Sequence, residues 1–409
     1  MDFEDTPEAA QFRAEARAWL EANATLKQAT GNWSEQHLST EPGAREEYER
    51  RTAEWQHTLY DAGWAGITWP TEHGGRGGTV VQQMIFNQEQ AAFDVAQGFF
   101  LATIQLVGPA IRRHGSDAQK ERYLKPLLRG DERWTQLFSE PGAGSDLAAL
   151  ATKAERDGDE YVVTGQKVWN SGAHIADFGI LLARTDPSVP KHKGITFFIV
   201  DMTSPGIDVR PLVQPTGTAE FNEVFLDEVR IPATNVVGEV NGGWAVARTT
   251  LASEAVMISG GSGRGGYDPL VAMVRAQGPI EDRVLRQRLA DVYARERILK
   301  YLGYRFQTAV ATGDFSGAPD GSVMKLLKAE LVTRIGDVAT DVLGPAGALA
   351  DDDAFEHGYW QRQFLNQFAT RIGGGTSEVH RNNLAQRALG LPREPSNDRT
   401  VPFSDLPKA

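Results

Sequence analysis

Apolar residues recur at helical spacing in the first third of the chain. Phe12, Ala16, Trp19 and Leu20 fall on one face, and Trp55, Leu59 and Ala62 do so again after a turn-rich stretch from Gly31 to Gly43. The same period predicts a helix from about Val80 to His114, stopped by Gly115, and another from Ala118 to Leu128, broken at Gly130. Trp69-Pro70 and the glycines through Gly78 form a loop, because helices do not tolerate that composition. The period changes near Thr135. Asp157-Gly158 between two alternating runs predicts a hairpin, and short β runs follow at Phe178–Ala183, Ile195–Val200, Ile207–Leu212 and Glu223–Ile231. Turn clusters at Asp186-Pro187, Ser204-Pro205-Gly206 and Pro215-Thr216-Gly217 separate them, which predicts a compact antiparallel barrel or sandwich. From about Gly242 the helical period returns in two long stripes. One runs from Leu285 through Leu289, Val292 and Leu299 to Phe306; the other runs from Val323 through Leu327, Leu331 and Ile335 to Val342. The tail beyond Leu391, with Pro392, Pro395, Pro402 and Pro407, reads as extended. The expected fold is multidomain α+β: an N-terminal helical domain over 1–134, a middle β-barrel or sandwich over 135–240, and a C-terminal four-helix bundle with tail over 241–409.

Composition narrows the chemistry. With 409 residues, the chain is long enough for two or three domains. The formal net charge of −12 argues against a nucleic-acid partner, because binding phosphates requires a basic surface. There is no cysteine, which removes disulfides, thiolate metal sites and thiol catalysis, and is compatible with a reducing cytoplasm. The acidic start Met1-Asp2-Phe3-Glu4-Asp5 lacks the basic and apolar regions of a secretory signal, and no apolar run is long enough for a membrane span. A cytoplasmic protein with no membrane partner is the expectation. The eight histidines include no His-x-x-x-His pair, so no metal site is expected.

Two segments carry candidate chemistry. Ser139-Glu140-Pro141-Gly142-Ala143-Gly144-Ser145-Asp146 packs glycines and short oxygen-bearing side chains into one loop, whose N–H groups can approach a ligand closely. Trp169-Asn170-Ser171 then presents an indole, an amide and a hydroxyl in succession. A close-approach backbone, an aromatic plane and hydroxyl donors together suit a flat, polar-edged ring such as a flavin. By contrast, Gly261-Ser262-Gly263-Arg264-Gly265-Gly266 satisfies a dinucleotide-binding pattern only nominally. It follows the helical run Leu251–Ile258 rather than a strand, which favours close helix packing. The sequons at Asn23 and Asn32 matter only in an exported protein.

With these segments in hand, the chain resembles the acyl-CoA dehydrogenase family along nearly its whole length. The loop at 139–146 looks like that family's flavin loop, and Tyr161–Ser171 like the strand after it. Gly63–Pro70 with Gly74–Gly78 resembles the N-terminal signature, and Gly373-Gly374-Gly375-Thr376-Ser377-Glu378-Val379 the C-terminal cofactor segment. The resemblance implies FAD held by Phe138, Ser139, Gly144, Ser145, Trp169, Ser171, Thr376 and Glu378. It implies an acyl-CoA substrate touching Ser145 and Gly374, an electron-transferring flavoprotein as oxidant, and a homotetramer or homodimer.

The reaction so implied removes a proton beside a thioester and passes hydride from the β carbon to the flavin. That requires a desolvated carboxylate as base and fixed donors for the developing enolate oxygen. Many members carry the base just before the Gly-Thr of the C-terminal segment, where this chain has Gly374. Others place it on an early helix of the C-terminal domain, and there Leu251-Ala252-Ser253-Glu254 aligns Glu254 with the alternative base. The expected roles are Glu254 as general base and Gly374 N–H as donor to the thioester oxygen. Three departures from the family pattern stand out. Ala255 replaces an arginine, with Arg248 or Arg264 as possible substitutes; Arg275 is displaced by one position from a flavin-reaching arginine; and Asp341 stands where glutamine is common. Two rival readings remain open on sequence alone: a flavin-dependent monooxygenase on the same fold, and a non-catalytic subunit of a heteromeric dehydrogenase.

Overall fold

The computed structural model describes residues 5–28, 43–260, 266–314, 320–350, 353–395 and 398–407, with backbone alone at 99, 101, 102, 254–260, 310 and 311. The N-terminal helices are α1 (Pro7–Asn23), α2 (Ala44–Asp61), α3 (Val80–Gln90), α4 (Gly98–His114) and α5 (Asp117–Arg129). Local chemistry sets several of their ends. Thr79 and Ser116 close capping boxes with Gln82 and Gln119, and Gly130 ends α5 at φ 87°.

The expected single helix from Val80 to His114 is two helices. Residues Phe93–Asp94 (β2) pair antiparallel with Thr25–Leu26 (β1), and Lys27 N donates to Ala92 O at 3.0 Å. Those backbone bonds draw the chain out of the helix and seat Phe93 in a cluster with Phe12, Leu20, Trp64 and Phe86. Burying a phenylalanine side chain is worth about 1.5–3 kcal/mol, which outweighs the helix propensity of one turn.

The middle domain is one curled sheet of seven strands. They are β3 (Trp134–Leu137), β4 (Lys153–Asp157), β5 (Glu160–Val168), β6 (Phe178–Arg184), β7 (Ile195–Asp201), β8 (Ile207–Leu212) and β9 (Phe221–Pro232), with β7 paired to β6 off the path β3-β6-β4-β5-β9-β8. The Asp157-Gly158 turn is the predicted hairpin, with Gly158 at φ 64°. Antiparallel pairing dominates, and β6 also takes β3 and Lys153 of β4 in parallel register, so the first strand returns beside the fourth.

The helical period resumes in α6 (Gly243–Gly260), α7 (Tyr267–Gln277), α8 (Arg283–Thr312), α9 (Gly321–Leu343), α10 (Tyr359–Ile372) and α11 (Ser377–Asn383). Helix α9 is central to this bundle and packs against α6, α7, α8, α10 and α11. It approaches α10 closely at Gly336, where an added Cβ would lie 3.2 Å from Phe364 Cα. Among the described residues, no helix is long and apolar enough to cross a membrane.

The domains share one core. Ile104, Val107 and Ile111 of α4, Phe138, Ala143 and Leu147 around the first glycine-rich loop, Ile180 and Phe197 of the sheet, and Val246 and Ala247 of α6 belong to a single buried cluster. The candidate loop therefore rests on the buried core that the three domains share.

Candidate active site

Residues 138–146 leave strand β3 and cross the end of the sheet. Phe138 is buried edge-on to Phe197, with ring centroids 5.8 Å apart, and Ser139 O accepts from Val168 N at 3.0 Å. Glu140 and Ala143 exchange backbone hydrogen bonds at 3.1 and 3.0 Å, closing a tight turn. The Glu140 carboxylate points inward and is saturated with donors. Ala151 N lies 2.6 Å from Oε2, while Thr152 N at 2.9 Å and Lys167 Nζ at 2.7 Å reach Oε1. The Lys167 ammonium is fully buried and also donates to Phe138 O at 3.0 Å. Burial drives the Glu140 carboxyl upward, but the Lys167 charge and the N–H donors outweigh it and hold it below its ordinary range. Burial pulls the Lys167 pKa down, opposed by Glu140. Beyond this anchor Gly144, Ser145 and Asp146 are exposed, and a Cβ on Gly144 would find nothing within 4 Å.

Strand β5 ends at Val168, and Trp169 takes a left-handed φ of 66°. For a bulky residue this conformation carries strain of order 1–3 kcal/mol. The indole it presents is 61% exposed and touches Phe221 edge-on at 6.0 Å. Asn170 beneath it is buried: its N donates to Asn222 O at 3.1 Å, its Nδ2 to Gln136 O at 2.7 Å, and its carbonyl accepts from Asn222 Nδ2 at 2.8 Å. Asn170 Oδ1 is buried with no hydrogen-bond partner among the described residues. Ser171 has an exposed side chain, and its carbonyl accepts from Thr135 Oγ1 at 3.0 Å. The strained turn is thus held from below while the indole and hydroxyl face outward.

The C-terminal group is built the same way. Gly374 and Gly375 adopt φ 66° and 96°, and a Cβ on Gly375 would lie 3.0 Å from His380 Nε2. His380 Nε2 donates to Gly374 O at 3.0 Å, which fixes the neutral ring with its proton on Nε2; Nδ1 is buried with no hydrogen-bond partner among the described residues. Burial, with the nearby Lys325 charge, lowers the His380 pKa. Lys325, fully buried on α9, donates to Thr370 O at 2.7 Å and Gly375 O at 2.9 Å. Thr376 caps α11 by accepting from Val379 N at 3.2 Å, which leaves its hydroxyl proton free to donate to a ligand. Glu378 is exposed and pairs with Arg381 at 3.2 Å.

Hydrogen bonds from Lys167, Val168 and Thr135 hold Phe138, Ser139 and Ser171 in one group, with Trp169 on the backbone between Val168 and Ser171, and His380 joins Gly374 and Thr376 in another. Among the described residues none joins the two groups. Glu254 lies on α6, which packs against α4, β7 and α9; the Glu254 side chain is outside the described part of the structure, as are the whole of Ala255's side chain, Arg264 and most of the glycine-rich run 261–266. Position 254 follows the buried Ala247 and Thr250 at i+7 and i+4, the spacing of one helical face. Arg248 and Arg275 are exposed, and Asp341 pairs with Arg288.

Sequence reasoning missed Lys167, Lys325, Asn222 and His380 as positioning groups. Lys325 carried a visible signal: it interrupts an apolar stripe in line with Ser322, Ala329 and Gly336, which leave room for a buried ammonium. Glu140 and Lys167 both stand inside the motifs, but their pairing is tertiary.

A helical domain, a curled β sheet and a helical bundle, sharing one core around the first glycine-rich loop, define an acyl-CoA dehydrogenase fold, and the chain belongs to that family. It matches the acyl-CoA dehydrogenase N-terminal domain over residues 6–131, the middle domain over 135–229 and the C-terminal domain over 241–389. It is 38% identical over 394 residues to acyl-CoA dehydrogenase IpdE1 of Mycobacterium tuberculosis, spanning 94% of this chain and 98% of that protein. Among solved structures, the Tcur3481-Tcur3483 steroid ACAD is similar with a TM-score of 0.80 and 32% identity, covering 96% of this chain and all (100%) of that one. The ChsE4-ChsE5 complex of Mycobacterium tuberculosis gives a TM-score of 0.74 and 31% identity, again covering 96% of this chain and 100% of that one. The protein is an oxidoreductase of the acyl-CoA dehydrogenase type, from a flavin-dependent family.

Proposed function

We propose that the protein converts an acyl-CoA thioester to its trans-2-enoyl-CoA with FAD as cofactor, Glu254 taking the α-proton. The observation that carries the cofactor reading is Trp169: a large indole held exposed on a strained, left-handed backbone is a costly arrangement for a surface residue and a useful one for a platform beside a planar ring. The open space at Gly144 and the outward Ser145 and Ser171 hydroxyls fit the same ligand. Phe138, Ser139, Gly144, Ser145, Trp169 and Ser171 would hold FAD from the middle domain, with Thr376 and Glu378 contributing from the C-terminal segment. Bound FAD supplies the acceptor for the β-hydride.

The remaining work falls to the chain. Glu254, on the helix face of buried Ala247 and Thr250, removes the α-proton, a task that requires exclusion of water to raise carboxylate basicity. Gly374 N–H and Ser145 orient the thioester, and a fixed donor at its oxygen stabilises the enolate as charge develops. His380 and Lys325 hold the Gly374–Gly375 carbonyls so that this segment does not reorganise. The acyl group we assign is bulky and ring-bearing; the steroid ACAD of similar fold, at 32% identity, supports this. An electron-transferring flavoprotein serves as oxidant, and the protein assembles as a homodimer or homotetramer. The outward Tyr293, Ile298 and Tyr301 of α8, with Phe368 and Ile372 of α10, support self-association.

Anaerobic mixing of the purified yellow protein with a thioester panel tests the reading. The expected result is bleaching of the flavin band by acyl-CoA, and slowing of about a hundredfold or more in Glu254→Gln. Reduction only by external flavin donors would point to a monooxygenase, and protein that neither carries nor takes up flavin would point to a non-catalytic subunit. Bleaching of Glu254→Gln at the parent rate would remove the base assignment.

A further inference from the structure

The first glycine-rich loop has two ends, and the Glu140–Lys167 pair anchors only one of them. Glu140 is fixed by buried Lys167, whereas Gly144, Ser145 and Asp146 are exposed. A second cation holds that outer end. Lys191, in the turn between β6 and β7, has a side chain only 5% exposed; its Nζ lies 2.6 Å from Asp146 Oδ2 and also pairs with the carboxylate of Asp398. Burial lowers the Lys191 pKa, but the two carboxylates outweigh it and raise it overall.

Asp398 belongs to the tail, which lies on the middle domain rather than extending away. Phe403 N donates to Val189 O and Ser404 N to Pro187 O, each at 2.9 Å, and Pro402 bridges Pro190. The Phe403 ring covers the Arg184 guanidinium, whose Cζ is 3.6 Å from the ring centroid. Arg184 is itself buried and donates to Ala148 O at 2.7 Å, Leu150 O at 3.1 Å and Lys191 O at 3.0 Å, and burial pulls its pKa down to about 10. Two cations, Lys191 and Arg184, are therefore sandwiched between tail residues on one side and residues 146–150 on the other.

We propose that tail residues 398–404 act as a strap. Acting through Lys191 and Arg184 as positioning residues, the strap holds Gly144–Leu150 in the shape that retains the cofactor. The proposal rests on the reading that this loop holds FAD, and its first measurement does not depend on that reading. Amide hydrogen exchange of residues 141–150 is compared in the full-length parent, Phe403→Ala, Asp398→Asn and Lys191→Met. We expect exchange there to rise about tenfold or more in each variant, as loss of a charge-assisted bond or of the ring over Arg184 frees the loop, while exchange in β6 and β7 stays unchanged. Lys191→Arg keeps the charge and the reach to both carboxylates, and retains slow exchange. The second measurement is the rate of flavin release, expected to rise by a similar factor with the melting temperature nearly unchanged. Faster exchange together with faster release supports the strap. Faster exchange in protein that carries no flavin still supports the strap while removing the FAD reading. Parent-like exchange at 141–150 in Phe403→Ala and Asp398→Asn overturns the proposal, as does equal loss of protection throughout the sheet.

Discussion

The two glycine-rich segments of this protein are held by the same device with different chemistry. In the middle domain, a buried lysine (Lys167) meets a buried carboxylate (Glu140), and the pair also gathers Phe138 O, Ala151 N and Thr152 N. In the C-terminal domain, a buried lysine (Lys325) reaches the carbonyls of Thr370 and Gly375, while His380 secures Gly374 O. A charge removed from water is tolerable only with strong partners. The first segment therefore has its partner built into its own motif, whereas the second draws its anchor from a neighbouring helix. The first is expected to behave as a rigid part of the shared core, and the second to depend on how α9 and α10 pack.

Breaking this contrast at its strongest point means removing Lys167. Lys167→Met strands the Glu140 carboxylate in the interior, and we expect a loss of about 3–5 kcal/mol in urea unfolding at unchanged m-value. Adding Glu140→Gln to Lys167→Met is expected to recover at least about 1 kcal/mol. A single variant within about 1 kcal/mol of the parent would show that the pair is not the anchor. Lys325→Met comes next. Loss of two charge-assisted bonds to carbonyls is expected to cost about 2–3 kcal/mol, with faster amide exchange concentrated at 370–376. An equal loss of protection in the 139–146 loop would erase the distinction between the segments.

The smallest effect expected is a pH dependence. Because the folded-state pKa of His380 lies below its ordinary value of 6.5, the unfolded chain binds the proton more readily. The neutral ring's contribution is present above pH 6.5 and is lost progressively as pH falls from there toward the folded-state pKa. His114, His174 and His192, also lowered chiefly by burial, act in the same direction, so the informative quantity is the difference between parent and His380→Gln. We expect the parent's stability to fall more steeply than the variant's between about pH 7.5 and about pH 5.5. Parallel curves would exclude His380 as a titrating contributor.

These anchors also mark where sequence reading stops. The Asp157-Gly158 hairpin was legible because a left-handed glycine and alternating flanks are local facts. The 373–379 segment was legible as a glycine-rich turn for the same reason, since Gly374 and Gly375 are left-handed, and the 139–146 loop was legible from its Pro and Gly content alone. The break between α3 and α4 was not: residues 91–97 contain neither glycine nor proline, and the interruption comes from pairing with Thr25–Leu26 far upstream. The partners of Lys167 and Lys191 were equally hidden, since Glu140 is 27 residues from the first and Asp146 is 45 from the second. The tail was read as extended; it carries a short 3-10 turn at Phe403–Asp405, and its seat on Arg184 and Lys191 depends on contacts that no local pattern encodes.

Trp169 carries one more implication. A glycine or asparagine there would settle the backbone into its left-handed turn at little cost, so local stability and the proposed ligand recognition pull this position in opposite directions. Substitutions that make the isolated fold more robust at this corner would remove the aromatic floor it displays. Engineering for heat resistance alone would drift toward a sturdier, emptier protein.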